Sequence, residues 1–364
     1  MRAATPHASG YAFDPLDPEQ TTPLLYATRW ITHFCAPTFV FLAGVSAWLQ
    51  SVKGKSHREL SFFLLTRGLW LILLEITVIG FAWSFALPFM LFFQVIWAIG
   101  WSMVALAGFI WLPRLVVLGC GIAIIAGHNL LDPIAPARLG AWADLWTFLH
   151  VGGVLRLGGL PALDAYPVLP WVGVMAFGYG LGQLFLAKAA LRDRLFVLLG
   201  LSMVATFFVL RYFNIYGDPR PWLAQGDLRK TIMMFFAVQK YPPPLLYVCA
   251  TLGPVLAAIP FIERWRGAPA RIFLTFGSVP LFAYVLHIYI AHALAIHFVF
   301  GRDTSGLFDL IRNLIFNPGK LTSTGLPLPV AFLTWLLVLV ILYPLCRWFA
   351  AVKRRRTNWW LSYL

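Results

Sequence analysis

Arg29, Thr32, His33 and Ala36 recur at i, i+3, i+4 and i+7, one polar stripe along an otherwise apolar segment. A neutral imidazole there can take a proton from a hydroxyl or an amine, or carry an acyl group itself. Its unperturbed pKa near neutrality suits either role. An arginine one turn before it can hold an anion or polarise a carbonyl. Comparable residues follow: Glu75, Gln94, the run His128, Asn129 and Asp132, and the trio Arg211, Asn214 and Asp218 on one helical face. Lys240 precedes three prolines, and His287, His292 and His297 share one later segment. All lie within or beside apolar runs, where a polar side chain is expensive and therefore informative.

Each group also has a plain structural reading. Asp132, Arg211, Asp218 and Lys240 fit interfacial anchors or loop ion pairs, His128 beside Asn129 fits a helix cap, and His292 and His297 fit core positions. The last three histidines stand five residues apart. Successive ones rotate by about 140° and cannot share a face. A metal pair prefers i, i+4 spacing, so no metal is expected. The four cysteines, Cys35, Cys120, Cys249 and Cys346, lie in apolar stretches with no pair flanking a loop, which predicts free buried thiols. Gly178 and Gly182 form a small-xxx-small pair and predict close helix packing. No P-loop or serine nucleophile elbow occurs.

The elements that must position these residues are membrane helices. Windows such as 39–48, 91–111 and 195–210 are apolar without a charge. With 60% hydrophobic residues and a mean hydropathy of +0.78, the chain reads as an all-α polytopic transmembrane bundle. At about twenty apolar residues per span, nine helices are predicted: 27–50, 60–82, 89–111, 114–131, 166–186, 194–213, 242–262, 273–299 and 327–349. They make one bundle over 27–350, with an outward segment 1–26 and a basic, aromatic tail 351–364.

Charge orients the bundle. Lys53, Lys55 and Arg58, then Lys188, Arg192 and Arg194, then Arg264, Arg266 and Arg271, and the tail from Arg347 to Arg356 sit in alternate short connections. Those connections and the C-terminus are expected on the cytoplasmic side. The same placement argues that the net charge of +14 is a topology signal and that no nucleic acid is bound. The longer connections 132–165, 211–241 and 300–326 then lie outside, and seven of the eight histidines fall in the outer half of the bundle or beyond it. A polar chamber open to the non-cytoplasmic side is expected. Residues 1–10 carry no apolar signal region, which makes an outward start awkward.

The segment 29–44, RWITHFCAPTFVFLAG, resembles the signature helix of bacterial proteins related to the catalytic domain of heparan-alpha-glucosaminide N-acetyltransferase. Further similar blocks are GHNLLD at 127–132, YPVLPWVGVM at 166–175, NIYGDP at 214–219, KYPP at 240–243 and VLH at 285–287. The resemblance implies a transmembrane acetyltransferase of the bacterial inner membrane. Acetyl would pass from cytosolic acetyl-CoA to an amine or hydroxyl of a sugar or glycan on the periplasmic side.

In the lysosomal relative the key catalytic residue is a histidine of the first outward loop. Its nearest match is His7, with His33 second. On this reading Asp132 or Asp218 orients the histidine. Arg29, His128, Asn129, Arg211, Asn214, Lys240 and His287 bind substrate. The family also implies an earlier helix with an Arg-Gly pair and an Asp-His-x-Arg motif, giving ten spans. The expectation is that the chain is shortened at that end. The competing readings are a transporter or flippase for a polar or anionic solute and a paralogue without chemistry. Self-association into a homo-oligomer is compatible with each.

Overall fold

The prolines mark where the apolar runs become helices. Pro113, Pro167, Pro244 and Pro327 each stand immediately before a helix, where a residue without an N–H leaves no donor unmatched. Polar caps start others: Ser56 and Glu59 form a reciprocal capping box, and Asp227 accepts the Arg229 amide.

The computed structural model describes residues 15–85, 91–157, 160–300, 304–316 and 327–356, with the single positions 302, 358, 361 and 363. Among the described residues, eight helices are long and apolar enough to cross a membrane: α1 Pro23–Val52, α2 His57–Trp83, α4 Arg114–Leu131, α6 Val168–Leu186, α7 Ala189–Phe213, α9 Leu245–Ile262, α11 Pro280–Phe298 and α13 Leu328–Arg355. The shorter α3 Val95–Phe109 is apolar too. Further α-helices among the described residues are α5 Ala143–Trp146, α8 Leu228–Phe236, α10 Ala268–Ser278 and α12 Thr304–Phe316. The all-α polytopic expectation is met.

Three local readings change. The run expected as the span 89–111 divides into strand β1 Leu91–Phe93 and the shortened α3. β1 pairs in parallel with β3 Leu160–Asp164, which pairs antiparallel with β2 Gly153–Leu157. An apolar run buried on both faces looks alike as strand or helix, and only its partner decides. The span 273–299 breaks at Val279, ahead of Pro280, into α10 and α11. The connection 300–326 contains the helix α12.

At the centre stands α6, buried at every residue from Pro170 to Leu181. Small residues let its neighbours approach. A Cβ on Gly44 of α1 would meet the Met175 carbonyl, and one on Gly178 would meet the Phe41 carbonyl, so the expected close packing is present. At one end of the bundle, Arg192 and Arg264 pair with Asp193 and Glu263 and tie the start of α7 to the end of α9. The start of α9 and the ends of α4 and α7 meet at the opposite end, where most of the sequence-selected polar residues collect.

Candidate functional site

In α1 the residues Thr32–Phe34 form one tight 3₁₀ turn inside the helix. A 3₁₀ turn advances each residue by about 120° instead of 100°. The stripe read at helical spacing therefore divides: Thr32 is exposed and its hydroxyl bonds the Arg29 carbonyl, whereas His33 turns inward and is 0% exposed. Neither ring nitrogen of His33 has a hydrogen-bond partner. Tyr247, in the first turn of α9, donates its hydroxyl to the His33 carbonyl at 2.9 Å and sets its ring 5.4 Å from the imidazole. Trp30 closes another side at 6.1 Å. Arg29 and Lys240 both lie within electrostatic reach of the ring.

Lys240 is half-buried, with its ammonium 5.2 Å from the centre of the Tyr241 ring. Burial pushes this lysine below its ordinary value, Tyr241 works the other way, and the Arg29 charge adds to the depression. Tyr241 packs on Tyr166 with rings 5.0 Å apart. Aromatic faces and two cations thus surround one imidazole. Its helix, α1, is tied to α8: Trp30 donates to the Phe236 carbonyl at 2.9 Å, and Tyr26 donates to the Met233 carbonyl at 2.7 Å.

A second group forms where α4 ends. Its last turn, His128–Leu131, again tightens to 3₁₀. Asn129 caps the start of α9 by accepting the Leu245 amide at 2.9 Å, and it donates to Asp132 at 3.0 Å. The other Asp132 oxygen faces His150 Nε2 at 3.0 Å. His150 comes from Thr147–Val151, a widened π turn continuing α5. The His128 ring stands edge-on to His150 at 5.5 Å, and these two histidines are 3% and 1% exposed. Burial opposes the charge of Asp132, but the hydrogen bonds from His150 and Asn129 and the nearby imidazoles hold its carboxyl below the ordinary range.

The third group is a clamp. Arg211, 1% exposed, donates to the carbonyls of Phe235, Arg220, Met234 and Ala237, and its Nη1 lies 3.6 Å from Asp218. Asp218 accepts the amides of Arg220 and Gln239. Its carboxyl is raised by burial against the pull of those amides and of Arg211. Asn214, in the left-handed conformation after α7, exchanges two bonds with Trp222. Together these three residues fix the connection 214–240 that carries α8.

The structure therefore brings His33, Arg29 and Lys240 into one neighbourhood and His128, Asn129 and Asp132 into another. Neither Asp132 nor Asp218 bonds the His33 ring. His287 is half-buried on α11 beside Tyr284, with rings 5.3 Å apart. His292 bonds the Ala82 carbonyl, and His297 is exposed. His7 lies outside the described residues. The thiols are all free, but Cys35 is exposed and Cys120 half-buried where burial was expected.

Sequence reasoning gives no role to two residues, His150 and Asp164, and does not connect the pair Glu75 and Gln94. His150 was counted among the outer histidines but given no role, since no local spacing links it to Asp132. Glu75 and Gln94 meet: the buried Glu75 accepts the Gln94 amide at 2.9 Å from inside another π turn, Glu75–Ile79. Asp164, 1% exposed at the end of β3, accepts the Tyr166 amide at 3.0 Å, and burial pushes its carboxyl up to about 7. π turns recur at functional positions; the usable signal in the sequence is residue type alone, a polar side chain in an apolar run.

No curated protein and no solved structure matches the chain. A family model described as heparan-alpha-glucosaminide N-acetyltransferase, catalytic, matches residues 13–212. That range is more than half of the 364 residues and includes His33, His128, Asp132 and His150. The membrane-spanning helices and the family agree on an integral membrane protein of the acetyltransferase type. The chain belongs to the heparan-alpha-glucosaminide N-acetyltransferase catalytic-domain family.

Proposed function

We propose that this chain moves the acetyl group of acetyl-CoA across a bilayer onto an amine or hydroxyl of a sugar or glycan, with His33 as the general base. The observation that carries this reading is the His33 imidazole, enclosed among aromatic rings with both nitrogens unpartnered and with Arg29 and Lys240 in reach.

In its neutral form the imidazole takes a proton from the acceptor as the acceptor nitrogen or oxygen attacks the thioester carbonyl. The new C–N or C–O bond forms, the C–S bond breaks, and the CoA sulfur leaves with the proton returned by the imidazolium. Arg29 and Lys240 balance the negative charge that gathers on the carbonyl oxygen. Trp30, Tyr241 and Tyr247 offer flat apolar faces to a sugar ring. The basic residues Lys53, Lys55 and Arg58, at the other end of the first two spans, suit the phosphates of CoA.

His33 is fully buried, so an acceptor reaches it only when a neighbouring element moves. The orientation follows the positive-inside argument, with the basic connections on the acetyl-CoA side. The test is proteoliposomes loaded with labelled acetyl-CoA and bathed in a glucosaminide. Label appearing on the sugar supports the reading, and His33→Asn should lower the rate by roughly 10²–10⁴-fold. Solute counterflow without covalent change would replace it with transport.

A further inference from the structure

We propose that His128, Asp132 and His150 bind a divalent cation of the zinc class at the junction of α4, α5 and α9. One donor atom from each of the three side chains lies within 4.8 Å of the others. Two imidazoles and a carboxylate are the ligand set that borderline metals such as Zn²⁺, Co²⁺ and Fe²⁺ prefer. Three protein ligands leave at least one position for water or another oxygen, as in sites where the metal reacts instead of only holding the fold.

Burial makes the case sharper. Both histidines are at least 97% buried: the Pro243 backbone lies beside the His128 ring, and the Nδ1 of His150 has no hydrogen-bond partner. A cation accepts one lone pair from each imidazole and the charge of Asp132. The side chains need only draw in from their present separation, by roughly 1–1.5 Å for bond lengths near 2.0–2.1 Å.

The surrounding bonds are those of a supporting shell. Asn129 fixes the second Asp132 oxygen at 3.0 Å and is itself fixed by the Leu245 amide at 2.9 Å. Such outer partners orient ligands and tune the metal. The π turn Thr147–Val151 supplies the third ligand from eighteen residues beyond Asp132, aimed back at the end of α4. Asp132 keeps 27% of its side chain exposed, which gives the ion a route in.

The site is separate from His33, yet α9 touches both: its first amide is capped by Asn129, and Tyr247 two residues later holds the His33 carbonyl. The inference does not depend on acetyl transfer. The decisive experiment is Zn²⁺ titration of the full chain in detergent after chelator treatment, followed by calorimetry and by metal analysis after desalting. One Zn²⁺ per chain is expected, with His128→Gln, Asp132→Asn and His150→Gln each weakening binding by at least 10–100-fold. His292→Gln, on a histidine committed to the Ala82 carbonyl, should bind as the unaltered chain does.

Where a substituted chain fails to fold, the unaltered protein still decides. Zn²⁺ should protect His128 and His150 from acylation by diethyl pyrocarbonate, mapped by mass spectrometry. Absence of stoichiometric Zn²⁺ binding, binding that survives all three substitutions, or protection of other histidines instead would overturn the site.

Discussion

Arg211 and His33 are both buried at the same end of the bundle, and their partners could hardly differ more. Arg211 gives its donors to four backbone carbonyls and faces a carboxylate. His33 gives neither ring nitrogen to anything, and the His128 ring has little beyond the Pro243 backbone. A buried polar group with every valence matched fixes a structure. One left unmatched in a packed interior either destabilises it or has work to do. The contrast separates a clamp, which shapes the connection 214–240, from two histidine centres with chemistry in reserve. Sequence spacing alone could not separate them.

That contrast can be broken at its strongest point. His33→Asn should lower acetyl transfer by roughly 10²–10⁴-fold while leaving thermal unfolding in detergent within a few degrees of the unaltered chain. Arg211→Ala should do the reverse in kind. Removing one partner of a buried ion pair costs about 3–5 kcal/mol, so unfolding should come much earlier and any loss of transfer should follow the loss of folded protein. If Arg211→Ala folds normally but transfers nothing, the clamp is a substrate contact after all.

Asp164 tests the same logic by pH. Its carboxyl is raised to about 7 by burial, and its second oxygen lacks a partner. The folded chain then keeps a proton that the unfolded chain releases near the ordinary carboxylate value. Stability should fall as pH rises from about 4 to about 7 and level off above, by a total on the order of 4 kcal/mol from this group. Asp164→Asn should flatten that slope in unfolding measured across the window. An unchanged slope would mean that the carboxyl titrates normally. The smallest effect belongs to Tyr247→Phe, which deletes one bond to the His33 carbonyl. It should cost about 1 kcal/mol of stability, measured by the same thermal unfolding. A larger cost would mean that Tyr247 also holds the His33 ring.

The bundle was largely legible because membrane helices announce themselves by length. The fourth expected span, 114–131, coincides with α4 at Arg114–Leu131. Legibility failed where tertiary partners decide. β1 is a strand only because β3 lies beside it, and α10 ends at Ser278 because the next helix opens with Pro280. At the site, His33 and the run from His128 to Asp132 stood out as polar residues in apolar company. Their partners did not. His150 reaches Asp132 through a π turn, and the Arg211 partners are mainly carbonyls of residues with no polar side chain to give them away.

The most direct measurement of the central claim is acetyl transfer and thermal unfolding on the same proteoliposome and detergent preparations of the unaltered chain, His33→Asn and Arg211→Ala. The account predicts label on the sugar for the unaltered chain, a folded but inactive His33→Asn, and an Arg211→Ala whose deficit is one of folding. Full transfer by a well-folded His33→Asn would contradict it.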